Sequence, residues 1–327
     1  MYHILWPTFN DNELIIPPAY RSFLADWLVE IYECIDRGDI AISQCITAFI
    51  AEILILGRND MMWDAVLNEL LTDDDGNPLA YSEQYGKRLY KYGNQWRQTP
   101  IYAIYDHYWI MSRMGESSDR YAEQIFRNIQ DSGWIFARDV SPTNIRTRMR
   151  SELMMNMAMG SEILRNSNRL DIVRDNLKAT LSNTPPTQYL SAEYFRLEAL
   201  RYLDAEHLFV TDCNQLLENC KLEAGFCDFN VTDKIDDYMG TKKRTARDHT
   251  VPSPLSTLHA FILSTFAEEH VRNETLASIG SYQEVLLNDP FAIPAFKIRD
   301  LEYDFGPGVT AGEVIAATLL LNYSDEV

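Results

Sequence analysis

"VSPTNIRTRMRSELMMNMAMGSEILR", residues 140–165, decides the fold class. Ser141 is placed to cap a helix and Pro142 to occupy its first position, where a missing N–H is no loss. Ile145, Met149, Leu153 and Met157 then recur every four residues as one stripe. Met154, Met155 and Met159 carry apolar surface nearly all the way round. Such a segment predicts a helix at the centre of a helical core, not one lying on its edge.

The same period extends in both directions. Phe23, Trp27, Leu28, Ile31 and Tyr32 make a stripe over 19–35, and apolar runs over 42–56 and 61–71 follow. "TDDDGNP" at 72–78 breaks the pattern as a turn. Further helices are expected near 81–96, 100–114, 118–130, 169–181, 189–204, 211–223, 254–269 and 274–287. A last one is expected at 311–322, with Thr310 and Glu313 at capping-box spacing. Strands are expected only near 2–5, 134–137 and 298–303. The predicted fold is therefore all-α, a multi-helix layered bundle or irregular α/α array with minimal β.

The tryptophans all precede residue 135, and "SNTPPTQ" at 182–188 reads as a connector. That division predicts an N-terminal helical half over 1–181 and a C-terminal half over 189–327, or one continuous body. Gly-aromatic pairs recur before Ser/Thr/Pro loops and apolar helices: Gly133-Trp134, Gly225-Phe226 and the reversed Phe305-Gly306. Their spacing is too irregular for a fixed-period solenoid. The arrangement is similar in style to the helix-pair repeats of α/α-toroid proteins, a family that includes isoprenoid enzymes; the similarity assigns no residue a role.

Composition narrows the function classes. An apolar fraction of 46% and an aromatic fraction of 12% belong to a folded chain. A net charge of -19 opposes broad nucleic-acid binding, although screening confines that repulsion to about 8 Å at physiological salt. "ITAFIAEILIL" from Ile46 is short and contains Glu52, which makes it a core helix and no membrane span. The N-terminal stretch has no signal-peptide pattern, and five cysteines fit reduced thiols in a cytoplasm.

Against that acidic background stands "KKRTAR" at 242–247, where Lys242, Lys243, Arg244 and Arg247 crowd together. Asp233, Asp236, Asp237 and Asp248 could neutralise them within a solvated loop. Alternatively the knot joins Arg146 and Arg150. On a helix Arg148 can pair with Glu152, whereas Arg146 and Arg150 share a face with no acid one turn away. That arrangement invites an anion: an internal carboxylate, a partner's acid or a phosphate.

Arg244 with His249, and Arg201 with His207, fit the loose Arg-x4–6-His spacing of the helical HEPN ribonucleases, which this segment resembles. The resemblance implies metal-independent cleavage of RNA, the histidine acting in acid-base chemistry and the arginine by charge. Tyr202 after Arg201 departs from the polar residue usual there, and His249 runs into the helix-ending "TVPSP".

Cys213, Cys220 and Cys227 sit seven apart and could join His249, His259 or Asp228 in a zinc site. On one continuous helix, however, that step separates ligands by roughly 10 Å, so a break would be needed, and Gly225 could supply it. Buried structural thiols are the simpler reading. "DDDGN" at 73–77 resembles the aspartate-rich magnesium motif of class I terpene synthases but lacks a second acidic motif and also fails as a calcium loop. Gly306, Gly308 and Gly312 precede a helix without the lysine of a phosphate loop. Asp106-His107 reads as a buried polar pair, and the methionine cluster as core or as a greasy pocket.

The reading that emerges is an acidic, helical interaction or scaffold subunit, with no cofactor expected. It would dock a protein, or a phosphate-bearing ligand, through Arg146, Arg150, Lys242, Lys243, Arg244 and Arg247. The alternatives are an enzyme, either HEPN-like or acting on a hydrophobic isoprenoid-like substrate, and an inhibitor whose acidic surface mimics nucleic acid.

Overall fold

A computed structural model describes residues 14–36, 42–56, 81–82, 87–92, 95–98, 108, 119–132, 134, 147–228, 252–293 and 307–322. In chain order the helices are α1 (Pro18–Asp36), α2 (Ile42–Leu56), α3 (Asp119–Ser132), α4 (Thr147–Asn166) and α5 (Leu170–Asn183). There follow α6 (Leu190–Arg201), α7 (Cys213–Cys220), α8 (Pro254–Ser264), α9 (Glu269–Asn288) and α10 (Pro307–Leu321). Single 3-10 turns occupy Glu206–Leu208 and Pro290–Ala292. The all-α prediction holds.

One segment departs from expectation. Residues 81–98 form a small antiparallel meander of β1 (Tyr81–Ser82), β2 (Lys87–Tyr92) and β3 (Gln95–Gln98), where the helical period predicts 81–96 as a helix. The reason is legible afterwards: Tyr90 and Tyr92 suit a pleated surface, where they pair with Arg97 and Gln95 of β3. The regions expected as strands near 2–5 and 298–303, and the helices near 61–71 and 100–114, fall outside the described residues apart from the buried Tyr108.

The chain divides into two compact units. One comprises Met1–Leu28, Pro186–Tyr194 and Val210–Val327. Within it α8, α9 and α10 pack on one another, with α7 against α8 and α9. The helix α8 is well enclosed, burying Pro254, Ser256, Thr257, Leu258, His259, Ala260, Leu263 and Ser264. Ser253 caps it, its hydroxyl accepting the Ser256 N–H at 3.2 Å, and Pro254 opens it. The helix α10 begins at Pro307, so Thr310 lies inside its first turn and cannot be its cap. Glu313 serves α8 instead.

The other unit comprises Val29–Pro185 and Phe195–Phe209. Here α4 packs against α3 and α5 and buries Met154, Met157, Ala158, Met159, Ile163 and Leu164, as its all-round apolar surface predicts. Trp134 lies buried against Gly160, where a Cβ would stand 2.9 Å from the indole ring. Its indole N–H donates to Asn176 at 3.0 Å, and its carbonyl accepts from Asn156 at 3.1 Å. The Gly-aromatic pairs are thus core anchors where described: Trp134 in this unit and Phe226 in the other are both buried.

Two helix ends share one device. After α4, Asn168 adopts φ 56°, with Arg169 N–H reaching Leu164 O at 2.8 Å and Asn168 N–H reaching Arg165 O at 3.0 Å. After α6, Asp204 adopts φ 52°, with Ala205 N–H on Leu200 O at 2.9 Å and Asp204 N–H on Arg201 O at 3.0 Å. Both are Schellman closures built on left-handed residues other than glycine.

Candidate functional site

The residues expected to gather an anion are mostly beyond description. Arg146, Lys242, Lys243, Arg244, Arg247 and His249 lie outside the described residues, as do Asp106, His107 and the 73–78 turn. Arg150 is placed on the first turn of α4 by its backbone.

The second Arg–His pair is described. Arg201 ends α6, and its guanidinium donates to Glu198 at 2.6 Å, one turn back on the same helix. His207 stands exposed on the following 3-10 turn, beyond the left-handed Asp204. Between them Tyr202 packs under Arg165, whose guanidinium carbon lies 6.0 Å from the ring centroid.

Around this point a polar cluster forms from α4 and α6, in one unit. The Tyr202 hydroxyl is hydrogen-bonded to Glu162, and burial, reinforced by the charges of Glu162 and Glu198, pushes its pKa far up. Burial also raises the Glu198 carboxyl, with Arg201 pulling it back down. The Tyr108 hydroxyl accepts the Asn166 amide, and burial raises that phenol as well. Chemically the Glu198 carboxyl and the Tyr108 and Tyr202 phenols have their proton affinities raised by dehydration. Each acidic group is used by a neighbour: Glu162 by Tyr202, Glu198 by Arg201. The cluster was invisible in the sequence, since its members come from α4, from the end of α6 and Tyr202 just beyond it, and from the distant Tyr108, and share no spacing.

The cysteine positions resolve the spacing problem. Cys220 closes α7, and the chain returns through a hairpin in which Lys221 bridges Phe226. Gly225, at φ 78°, makes the bend; a Cβ there would meet the Tyr282 ring at 2.8 Å. Cys227 consequently faces Cys220, donating its N–H to Cys220 O at 3.0 Å and its thiol to the same oxygen at 3.3 Å. Cys213 is buried at the other end of α7, its thiol pushed up to about 12 by burial and by the nearby Glu193 and Asp212. Among the described residues no group of three or more His, Cys, Asp or Glu could hold a metal ion.

Two further titratable groups belong to the unit containing α8, His259 buried and Glu313 half-buried. His259 stacks on Tyr194 with ring centroids 4.4 Å apart, and burial drives its pKa down to about 3, which keeps the imidazole neutral. Glu313 accepts hydrogen bonds from Ser253 and from the Leu255 N–H, and burial raises its carboxyl to about 7. Three methionines of α4 act as core: Met154 and Met157 are wholly buried, and Met159 nearly so, while Met155 is half-buried. Among the described residues no helix is long and apolar enough to cross a membrane.

Comparison of the chain with family models, with curated proteins and with solved structures finds no match.

Proposed function

We propose that the chain is an interaction subunit that docks an acidic protein surface, or a phosphate-bearing ligand, through the basic segment 242–247. The observation that carries this reading is one of charge: four cations within six residues of a chain whose net charge is -19. Acidic neighbours nearly balance them in sequence, yet such a local reversal of sign suits an orientation-specific electrostatic contact. The treatment of cations elsewhere supports the contrast. Arg127 and Arg169 both reach Glu123, Arg174 reaches Asp171, Arg201 reaches Glu198 and Lys221 reaches Glu274. These side chains meet carboxylates of their own chain, so a segment rich enough in cations to exceed its acids is the place for an outside anion. On this reading the protein works in the cytoplasm, and Arg146 and Arg150 extend the contact.

The test is a double charge reversal, Lys242→Glu with Arg244→Glu, in the full chain. Recovery of bound protein on the tagged chain is expected to fall at least tenfold and to weaken with added salt in the parent, with an unchanged thermal midpoint. Equal recovery by parent and variant overturns the reading. Titration with inorganic phosphate separates the two ligand sources, because only a phosphate site shows competition at millimolar concentration.

A further inference from the structure

The hairpin joining α7 to the segment after Asp228 places two thiols face to face. Lys221 pairs with Phe226 in antiparallel register, and the next pair outward is Cys220 with Cys227. In such a ladder directly opposed Cα atoms lie about 4.5 to 5.5 Å apart, inside the span that a disulfide bridges. Both side chains are wholly buried, and neither sulfur is in a disulfide. The Cys220 thiol is hydrogen-bonded to that of Cys227, which lowers the pKa of the latter against the effect of burial.

The frame around the pair is held from several sides. Gly225 N–H donates to Ser278 O at 3.1 Å and Phe226 N–H to the Thr257 hydroxyl at 3.1 Å, while Ser253 N–H donates to Phe226 O at 3.0 Å. Asp228, next to Cys227, accepts the first N–H groups of α6: Leu190 on its carbonyl at 3.0 Å and Ser191 on its carboxylate at 2.9 Å. The two sulfurs are therefore held as neighbours by backbone bonds that do not depend on the thiols themselves. The same hairpin links α7, α8, α9 and the start of α6, so a bond across it would restrain all four at once.

We infer that Cys220 and Cys227 form a reversible modification site, a dithiol that hydrogen peroxide converts to an intramolecular disulfide. The step balances in two stages. The Cys227 thiolate attacks one peroxide oxygen, the O–O bond breaks, and hydroxide leaves as water with the proton released from the thiol. The resulting sulfenic acid is then attacked by Cys220; the S–S bond forms, the S–O bond breaks and a second water departs. Two thiols lose two electrons, and one peroxide becomes two waters. Cys213, likewise buried but at the far end of α7 and with its thiol raised, is the internal control that forms no link.

The experiment treats the native full-length chain with hydrogen peroxide, alkylates the remaining thiols and maps the peptides. The expected product is lighter by about 2 Da, the two hydrogens lost, with Cys220 linked to Cys227 and Cys213 still alkylated. Dithiothreitol restores the original mass, and the oxidised form melts at higher temperature than the reduced form. In Cys220→Ala the first stage goes on alone, so dimedone labels Cys227. A link that forms only in urea, a link to Cys34, Cys45 or Cys213 instead, or retention of both thiols while Cys34 oxidises would each overturn the inference.

Discussion

Glu313, on the second turn of α10, lies within 3.3 Å of the hydroxyl of Ser253, the residue that caps α8. The Leu255 N–H points to the same carboxylate at 3.5 Å. A helix start holds unsatisfied N–H groups and partial positive charge, so an acid from another helix is a natural partner. Burial nevertheless lifts the carboxyl from 4.5 to about 7, so desolvation outweighs the two hydrogen bonds. The sign follows. Between those values the folded state keeps a proton that the unfolded chain has lost, so stability is greatest below 4.5 and declines as pH rises to about 7. The expected decline from this group is roughly 3 kcal/mol. Urea unfolding of the parent and of Glu313→Gln across pH 4 to 8 measures it as a difference in slope; parallel profiles would refute the assignment.

Arg196 is buried within α6 and donates to Leu181 O at 3.1 Å, Thr184 O at 2.9 Å and Pro185 O at 2.8 Å. Leu181 O lies in the last turn of α5 and also accepts the Thr184 N–H, while the other two carbonyls lie just past the helix end, so the guanidinium gathers the helix exit. Arg196→Met keeps most of the side-chain volume and leaves the carbonyls dry. The expected loss is about 2 to 4 kcal/mol, with charge-assisted bonds dominating it. Denaturant midpoints at constant slope supply the number.

Three glycines with different surroundings make a graded series. Gly160→Ala drives a methyl to 2.9 Å from the rigid Trp134 ring, and Gly225→Ala meets Tyr282 at 2.8 Å while also sitting at φ 78°. Both are expected to destabilise by about 1 to 3 kcal/mol, Gly225→Ala the more. Gly280→Ala, inside α9 with no neighbour within 4 Å, is expected to stabilise by about 0.5 to 1 kcal/mol. Thermal melts that failed to separate the third variant from the first two would contradict the packing described for both units.

Asn168 and Asp204 occupy left-handed closing positions at φ 56° and 52°. Glycine reaches that conformation without steric cost, so Asn168→Gly and Asp204→Gly are each expected to raise stability by up to about 1 kcal/mol. Alanine at the same sites is expected to lower it by about 1 kcal/mol, because a Cβ is unwelcome in that region. The Gly–Ala difference in unfolding free energy at each position is the quantity to compare.

What the sequence alone determined is the material of the fold. The four-residue recurrence in 140–165 marks α4 as central, and the runs at 19–35 and 42–56 appear as α1 and α2, because burial of an apolar face sets the period locally. Ser253-Pro254 announces the start of α8 for the same local reason. The small sheet of β1, β2 and β3 shows the limit, since the tyrosines of β2 favour a strand but lay within reach of a helical period as well. Only tertiary structure decided the rest: that Glu313 caps a foreign helix, that Arg196 closes α5, that Glu162 and Glu198 meet at Tyr202, and that Cys220 turns back onto Cys227. Those relationships join residues from separate elements, or from opposite arms of a turn, and their energies depend on dehydration and approach. Neither exists until the chain has packed.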